Sequence, residues 1–144
     1  MSEELKTDSL RRAIAQLEEA VALASEELRL LDSRYRFHLR AGAIQAFEYT
    51  YELCERMLRR SLRHSESGEA RVNELTFGEL FRLGNKRGLV KGELGSWLNF
   101  RASRNRTSHT YSEEDAQAVF EAIPAFLDEA RFLLDALDGA SRRV

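Results

Sequence analysis

The sequence predicts an all-α fold, an up-and-down antiparallel bundle of about five helices around a four-helix core. Its 144 residues are rich in Ala, Leu, Glu and Arg and include a single proline, a composition that favours helices. Apolar residues also recur at steps of three and four over long stretches, as they do in helices with one buried face. This length suits one domain, residues 1–144, with a core of its own.

The first two helices are predicted at 9–31 and 34–62. The apolar seam of the first consists of Leu10, Ile14, Leu17, Val21, Ala24, Leu28 and Leu31. A break at 32–33 separates the two helices, and so short a connection implies that the second runs antiparallel to the first. The next stretch, 64–73, is polar and contains Gly68, so it is predicted to be a loop.

A short third helix is predicted at 77–86. Thr76 followed by Glu79 has the spacing of a capping box, in which each side chain bonds to the backbone of the other residue. A fourth helix is expected to begin near Glu93 and to carry the stretch from Trp97 onwards.

The fifth helix is predicted to begin after Ser112, which has a suitable side chain for the cap. Pro124 lies inside its apolar pattern and is expected to kink the helix or to split it near Ala122. Gly139 is expected to end it.

Composition excludes several classes of protein. The net charge is −2, so any site for an anion must be a local patch. Cys54 is the single cysteine, which rules out an internal disulfide and fits a reducing cytoplasm. No apolar run reaches 18 residues and the N-terminus lacks the pattern of a signal peptide, so we expect a cytoplasmic protein with no membrane contact. Three scattered histidines and one cysteine predict no metal site, and we expect no cofactor.

Most of the residues with potential chemistry lie in one stretch, 97–111. Its candidate catalytic residues are Arg104 and His109, with four residues between them. Histidine gains or loses a proton near pH 7, and arginine supplies a permanent charge that matches phosphate oxygens. Around these two, the candidate supporting residues are Ser108, Asn105 and Tyr111, and the candidate RNA-binding residues are Arg101 and Arg106.

The spacing of Arg104 and His109 places a condition on the structure. Residues five apart lie roughly 140° apart around a straight helix. Either the helix ends near 107–108 and the chain turns His109 back, or a second chain supplies the partner group.

Two carboxylates one turn apart, Glu48 and Glu52, lie on one face of the second helix. Such a pair could serve as general acid and base. We instead expect a solvated or salt-bridged helix face, which explains the spacing better than an acid–base pair does.

The motif RNRTSHTY at 104–111 resembles the signature of the HEPN superfamily of small helical proteins, many of which are ribonucleases. Two further segments, AIQAFEYTYEL at 43–53 and AIPAFLDEA at 122–130, are similar to the nucleotidyltransferase substrate-binding group of that superfamily. With the order of the helices, the resemblance covers nearly the whole chain.

The resemblance implies a homodimer in which Arg104 and His109 of both copies face one cleft. It also implies a cognate minimal nucleotidyltransferase as partner. In one arrangement of the family the chain is the toxin of a toxin–antitoxin pair, a metal-independent endoribonuclease. The nucleotidyltransferase then silences it by adding adenylate to the tyrosine that matches Tyr111, a modification known as AMPylation.

In the alternative arrangement, the chain is the substrate-binding subunit of a two-component nucleotidyltransferase and has no ribonuclease activity. The complete motif, with His109 and Tyr111 both present, favours the toxin. One departure from the family pattern favours reduced activity, because the segment RFHLRAG at 36–42 lacks the acidic residue expected there.

Overall fold

The computed structural model describes residues 6–27, 33–65, 69–107 and 112–142, and every regular element within them is a helix. The six helices are α1 (Asp8–Glu27), α2 (Ser33–Ser65), α3 (Glu69–Asn73), α4 (Phe77–Lys86), α5 (Leu94–Arg106) and α6 (Glu113–Arg142). The predicted all-α fold is therefore confirmed. The predicted end of the first helix, at residue 31, lies outside the described residues.

The long helices alternate in direction. The start of α1 meets the end of α6, where the Thr7 hydroxyl donates to Asp138 Oδ1 at 2.5 Å. The other pairs follow from ring contacts: Phe47 of α2 lies 5.0 Å from Phe126 of α6, and Phe100 of α5 lies 5.4 Å from that same ring. Together with the polar contacts described below, these pairs give α1, α2, α5 and α6 an up-down-up-down order, as predicted.

α2 packs against each of the other five helices in the described chain. Its buried face meets a cluster of aromatic side chains centred on Trp97, which is fully buried. Trp97 stacks on Phe81 of α4, with ring centroids 4.7 Å apart, and contacts Phe126 edge-on at 5.9 Å. Large aromatic surfaces contribute much of the free energy of a core, so this cluster holds α5 in its place beside α2 and α6.

A carboxylate also fixes the start of α5. Glu129 of α6 accepts hydrogen bonds from the backbone N–H of Gly92, at 2.9 Å, and from the indole N–H of Trp97, at 3.2 Å. A Cβ on Gly92 would lie 2.9 Å from the Glu129 carboxylate, so the close approach requires glycine. The turn before α5 is thereby attached to α6.

Two of the predicted helix starts are confirmed in detail. The Thr76 hydroxyl accepts from the backbone of Glu79 at 3.2 Å, and the Glu79 carboxylate accepts from the backbone of Thr76 at 2.9 Å. The hydroxyl of Ser112 accepts from the backbone N–H of Asp115 at 3.1 Å, which begins α6. Local spacing was sufficient to place both caps.

The predicted loop at 64–73 is partly wrong. α2 continues to Ser65, and α3 occupies Glu69–Asn73. The reason is tertiary packing, which overrides a polar local sequence. Val72 is buried against α2, and its carbonyl accepts from the Arg59 guanidinium at 3.0 Å.

For the last helix, the predicted end at Gly139 is wrong, and of the kink or split expected at Pro124, the split does not occur. Pro124 does not split α6, and Gly139 does not end it, because the helix runs without a break to Arg142. Pro124 faces solvent, while Ile123, Phe126 and Leu137 on the other side are buried in the core. Burial of that face on both sides of the proline stabilises one continuous helix.

A helix that crosses a bilayer needs about 20 consecutive, predominantly apolar residues. No helix in the described chain is both long enough and apolar enough to cross a membrane.

Candidate functional site

The candidate site is built on the last turns of α5. The helix ends at Arg106, where Thr107 donates to the carbonyl of Arg104 from its backbone N–H at 3.3 Å and from its hydroxyl at 2.7 Å. One of the two conditions set by the spacing of Arg104 and His109 was an end of the helix near residue 107. The structure meets the first part of that condition, because α5 ends at Arg106, three residues before His109.

The Arg104 side chain points back across α2 and is 24% exposed. Its Nε donates to Oε1 of Glu52 at 3.1 Å, and its Nη2 donates to the same oxygen at 2.5 Å. Its Nη1 lies 3.7 Å from Oε2 of Glu48. These contacts fix the guanidinium in position, and the hydrogen bonds to Glu52 raise the pKa of Arg104 above its usual value.

The two carboxylates are thus salt-bridged, which is one of the two arrangements that their spacing predicted. Glu48 and Glu52 lie one turn apart on α2, and both turn towards a single cation on α5. Two negative charges against one positive charge leave this cluster with a net charge of −1. A phosphate group entering the cluster would have to displace a carboxylate or bring in further cations.

The other predicted site residues on α5 form no hydrogen bond or ion pair with this cluster in the described structure. Arg101, Asn105 and Arg106 are exposed. The Arg101 guanidinium lies over the ring of Phe77, 4.6 Å from its centroid, in cation–π geometry. Of the four predicted site residues on α5, Arg104 joins the carboxylate cluster and the other three are exposed.

Three of the predicted site residues, Ser108, His109 and Tyr111, lie outside the described residues. The two ends of the chain that flank them are described, and both are attached to α2. On the α5 side the attachment is the ion pair of Arg104 with Glu52.

On the α6 side the attachment is Arg40, a buried arginine of α2. Its guanidinium donates to Gln117 Oε1 at 3.0 Å and forms an ion pair with Glu113, in the first turn of α6. A buried charge is costly unless it is paired, so this contact strongly favours one position of α6 on α2. The segment that carries His109 therefore runs between two points held on the same helix.

Sequence reasoning did not assign Arg40 a role. It lies in the segment where the resemblance led us to expect an acidic residue, and the structure has a buried cation there instead. A signal was present, because Arg40 lies four residues before Ile44 and seven before Phe47, on the buried stripe of α2. A charged residue on such a stripe predicts a buried partner.

The arrangement supplies an oriented guanidinium, with a histidine five residues later in the chain. Guanidinium groups bind phosphate oxygens through two parallel hydrogen bonds, and histidine transfers protons at neutral pH. Within the described residues, no group of three or more His, Cys, Asp or Glu side chains is placed to hold a metal ion.

Comparisons with known proteins show which proteins this chain is similar to. A family model described as "Nucleotidyltransferase substrate binding protein like" matches residues 5–139. A Haemophilus influenzae protein named "Probable ribonuclease HepT" is 35% identical over 139 residues, which are 95% of this chain and 94% of the relative.

A solved structure gives the same picture. It is a Haemophilus influenzae protein described as having the fold of a substrate binding domain of a nucleotidyltransferase. Its TM-score is 0.85 at 35% identity, and the match covers 92% of this chain and 99% of that one. The resemblance drawn from the three sequence segments is thereby confirmed.

Proposed function

The chain belongs to the family of nucleotidyltransferase substrate-binding-like proteins, and we propose that it is a metal-independent endoribonuclease of the HEPN type. Arg104 and His109 of two copies form one composite site at a homodimer interface. The observation that carries the proposal is the fixed guanidinium of Arg104 on the last turn before the segment with His109. The similarity to a probable ribonuclease over 95% of the chain supports it.

The proposed chemistry uses the nucleophile that RNA itself carries. One His109 accepts the proton of the 2′-hydroxyl, whose oxygen attacks the adjacent phosphorus atom. The bond from phosphorus to the 5′-oxygen breaks, and the His109 of the second copy donates a proton to that oxygen. Arg104 stabilises the negative charge that develops on the phosphate oxygens.

The proposed partner is a minimal nucleotidyltransferase that neutralises the ribonuclease by adding adenylate to Tyr111. Such a pair is a toxin–antitoxin system. Family membership supports a nucleotidyltransferase as partner.

A second function, favoured by a separate observation, is that of a substrate-binding subunit without ribonuclease activity. In the described structure the charge of Arg104 is more than balanced by Glu48 and Glu52, which weakens its attraction for phosphate. The solved relative described as a substrate binding domain also favours this reading.

The test is cleavage of an unstructured RNA by the purified chain in the presence of a chelator. We expect Arg104→Ala and His109→Ala each to lower the rate by about 100-fold or more, since each removes a group needed in the transition state. Matched controls are Arg12→Ala and His38→Ala, which remove the same residue types from exposed positions on α1 and α2.

Intact mass on each sample identifies unmodified Tyr111, and sedimentation identifies the dimer. Equal cleavage by wild type and by both site variants would exclude the proposed site. Absence of cleavage by an unmodified, dimeric wild type would favour the substrate-binding subunit.

A further inference from the structure

A second cluster of arginines lies on α2, beyond the site described above. A groove of about 330 Å³ runs along the C-terminal half of the helix and is lined by Glu52, Glu55, Arg56, Arg59 and Arg63. Glu52 is also the residue that holds Arg104. One end of this groove therefore meets the candidate site.

Among the residues that the structure describes, no carboxylate neutralises the arginines of the groove. Within the described residues, Arg56, Arg59 and Arg63 form no ion pair with a carboxylate. Arg59 donates to the carbonyl of Val72 at 3.0 Å, and Arg63 donates to Oδ1 of Asn73 at 3.1 Å. These neutral acceptors orient two guanidinium groups without neutralising them.

The two acidic residues of the groove do not cancel this charge. Glu52 is already paired with Arg104. Glu55 accepts a hydrogen bond from the hydroxyl of Tyr51 at 3.2 Å and remains as one carboxylate against three guanidinium groups. In a chain with a net charge of −2, this is a local cationic surface.

The dipole of α2 explains part of this clustering of arginines. Basic residues near the C-terminus of a helix interact favourably with its dipole, but the effect is confined to the last turn. Of the three groove arginines, Arg63 lies in the last turn of α2, which ends at Ser65. Arg56 and Arg59 lie further back along the helix, so the dipole does not explain them.

We propose that this groove binds the backbone of a single RNA strand and leads it to Arg104; the inference rests on the proposed ribonuclease function. Arg56 and Arg63 are seven residues apart, or about 10 Å along the helix. Successive phosphates of a stacked strand advance by about 3.4 Å along the strand axis, so this length corresponds to roughly three nucleotide steps.

Two features favour RNA over an acidic protein as the occupant. The groove is continuous with the cluster that contains Arg104, so a strand bound there has a phosphate next to that guanidinium. Arg59 and Arg63 are also held in place before the ligand arrives, which reduces the entropy lost on binding an extended strand.

The experiment measures binding of a labelled, unstructured RNA to the full-length chain. All proteins carry His109→Ala, so that the strand stays intact. In that background, Arg56→Gln combined with Arg63→Gln is expected to weaken binding on the order of tenfold. Each lost phosphate contact should also flatten the plot of log affinity against log salt by about 0.7, or about 1.4 in total.

Arg60→Gln is the matched control. Arg60 is exposed on the same helix but does not line the groove, and we expect less than a twofold change in affinity. Arg56→Gln alone provides a second test, because Arg56 forms no hydrogen bond or ion pair within the described part of the chain, so the change mainly removes a charge. Thermal unfolding confirms that each variant is folded.

Three outcomes decide the inference and separate it from the proposed function. Groove-dependent binding without cleavage by the wild-type chain would support the groove and exclude the ribonuclease. Cleavage by the wild type, with equal binding by the double variant and by Arg60→Gln, would overturn the groove and leave the ribonuclease standing. Unchanged RNA binding, with loss of dimerisation or of nucleotidyltransferase binding in the double variant, would identify the groove as a protein interface and overturn the inference.

Discussion

Two sets of arginines on neighbouring surfaces of this bundle are held in different ways. Arg104 on α5 is fixed by carboxylates, Glu48 and Glu52, that neutralise it. Arg59 and Arg63 on α2 are fixed by a backbone carbonyl and a side-chain amide, which leave their charge intact. Both arrangements orient a guanidinium group, but only the second leaves a surface that attracts anions at a distance.

The difference suggests a division of roles. A cation that is free of carboxylates captures a polyanion, whereas a cation that is already paired is positioned more rigidly and binds phosphate weakly until the pairing changes. Arg104 depends on contacts from several helices, and the groove depends mainly on α2 and α3. Changes that disturb the position of α5 or α6 should therefore affect cleavage and spare RNA binding in the groove.

The largest expected effect comes from Glu129→Ala. This change leaves the buried indole N–H of Trp97 and the N–H of Gly92 without their acceptor, and each such loss costs about 1–3 kcal/mol. We expect a free energy of unfolding lower by about 3 kcal/mol in urea denaturation, and lower cleavage because α5 carries Arg104.

Glu129→Gln serves as its control, because the amide oxygen still accepts a hydrogen bond, and should cost about 1 kcal/mol. If the folded Glu129→Ala chain lost RNA binding as completely as cleavage, that result would contradict separate roles for Arg104 in cleavage and for the groove arginines in RNA binding.

A smaller effect is expected from Arg40→Met. The change removes the contacts with Glu113 and Gln117 that hold the start of α6 on α2, while methionine fills the buried space. We expect about 1–2 kcal/mol lower stability, and cleavage about tenfold slower because one end of the segment with His109 is no longer held.

RNA affinity measured in the same samples should stay within twofold of the wild type. Arg36→Met, an exposed change one turn earlier on α2, is the control and should alter neither quantity. Unchanged cleavage in a folded Arg40→Met chain would show that this contact does not position the site.

The smallest effect is expected from Glu52→Gln, which tests the carboxylate pairing itself. The amide oxygen still accepts from Arg104, so the guanidinium keeps its orientation, while one negative charge is removed beside the groove. We expect RNA to bind about two- to fivefold more tightly at low salt, with the gain disappearing as salt is raised.

Glu19→Gln is the control, because it removes one negative charge at an exposed position on α1. A distant charge is screened by salt, so we expect the affinity for RNA to change by less than about 1.5-fold. Weaker binding by Glu52→Gln would contradict the view that the carboxylates oppose capture of the strand.

Sequence reasoning succeeded where the controlling interactions are local. The capping box at Thr76 and the cap at Ser112 depend on residues three apart, and both were predicted correctly. The spacing of Glu48 and Glu52 by one turn predicted a solvated or salt-bridged face, but it could not decide between the two or identify Arg104 as the cation.

The failures share a physical cause. The polar segment before α4 contains a short helix because Val72 packs on α2, and α6 passes Pro124 without a break because its other face is buried. Neither contact is visible in a short window of sequence. A local signal for a loop or a break is worth at most a few kcal/mol, which burial of a helix face can exceed.

The sequence by itself determined the helices other than α3, their buried faces and the residues with potential chemistry, because the helical repeat is local and each turn carries its own pattern. Only the tertiary structure decided which charges meet: Arg104 with Glu52, Arg40 with Glu113, and the groove arginines with neutral acceptors. Those partners come from different helices, and their register is set by packing of the apolar core rather than by the charges themselves. Charged residues with the same helical spacing therefore surround a neutralised arginine on one surface and form a cationic groove on the neighbouring surface.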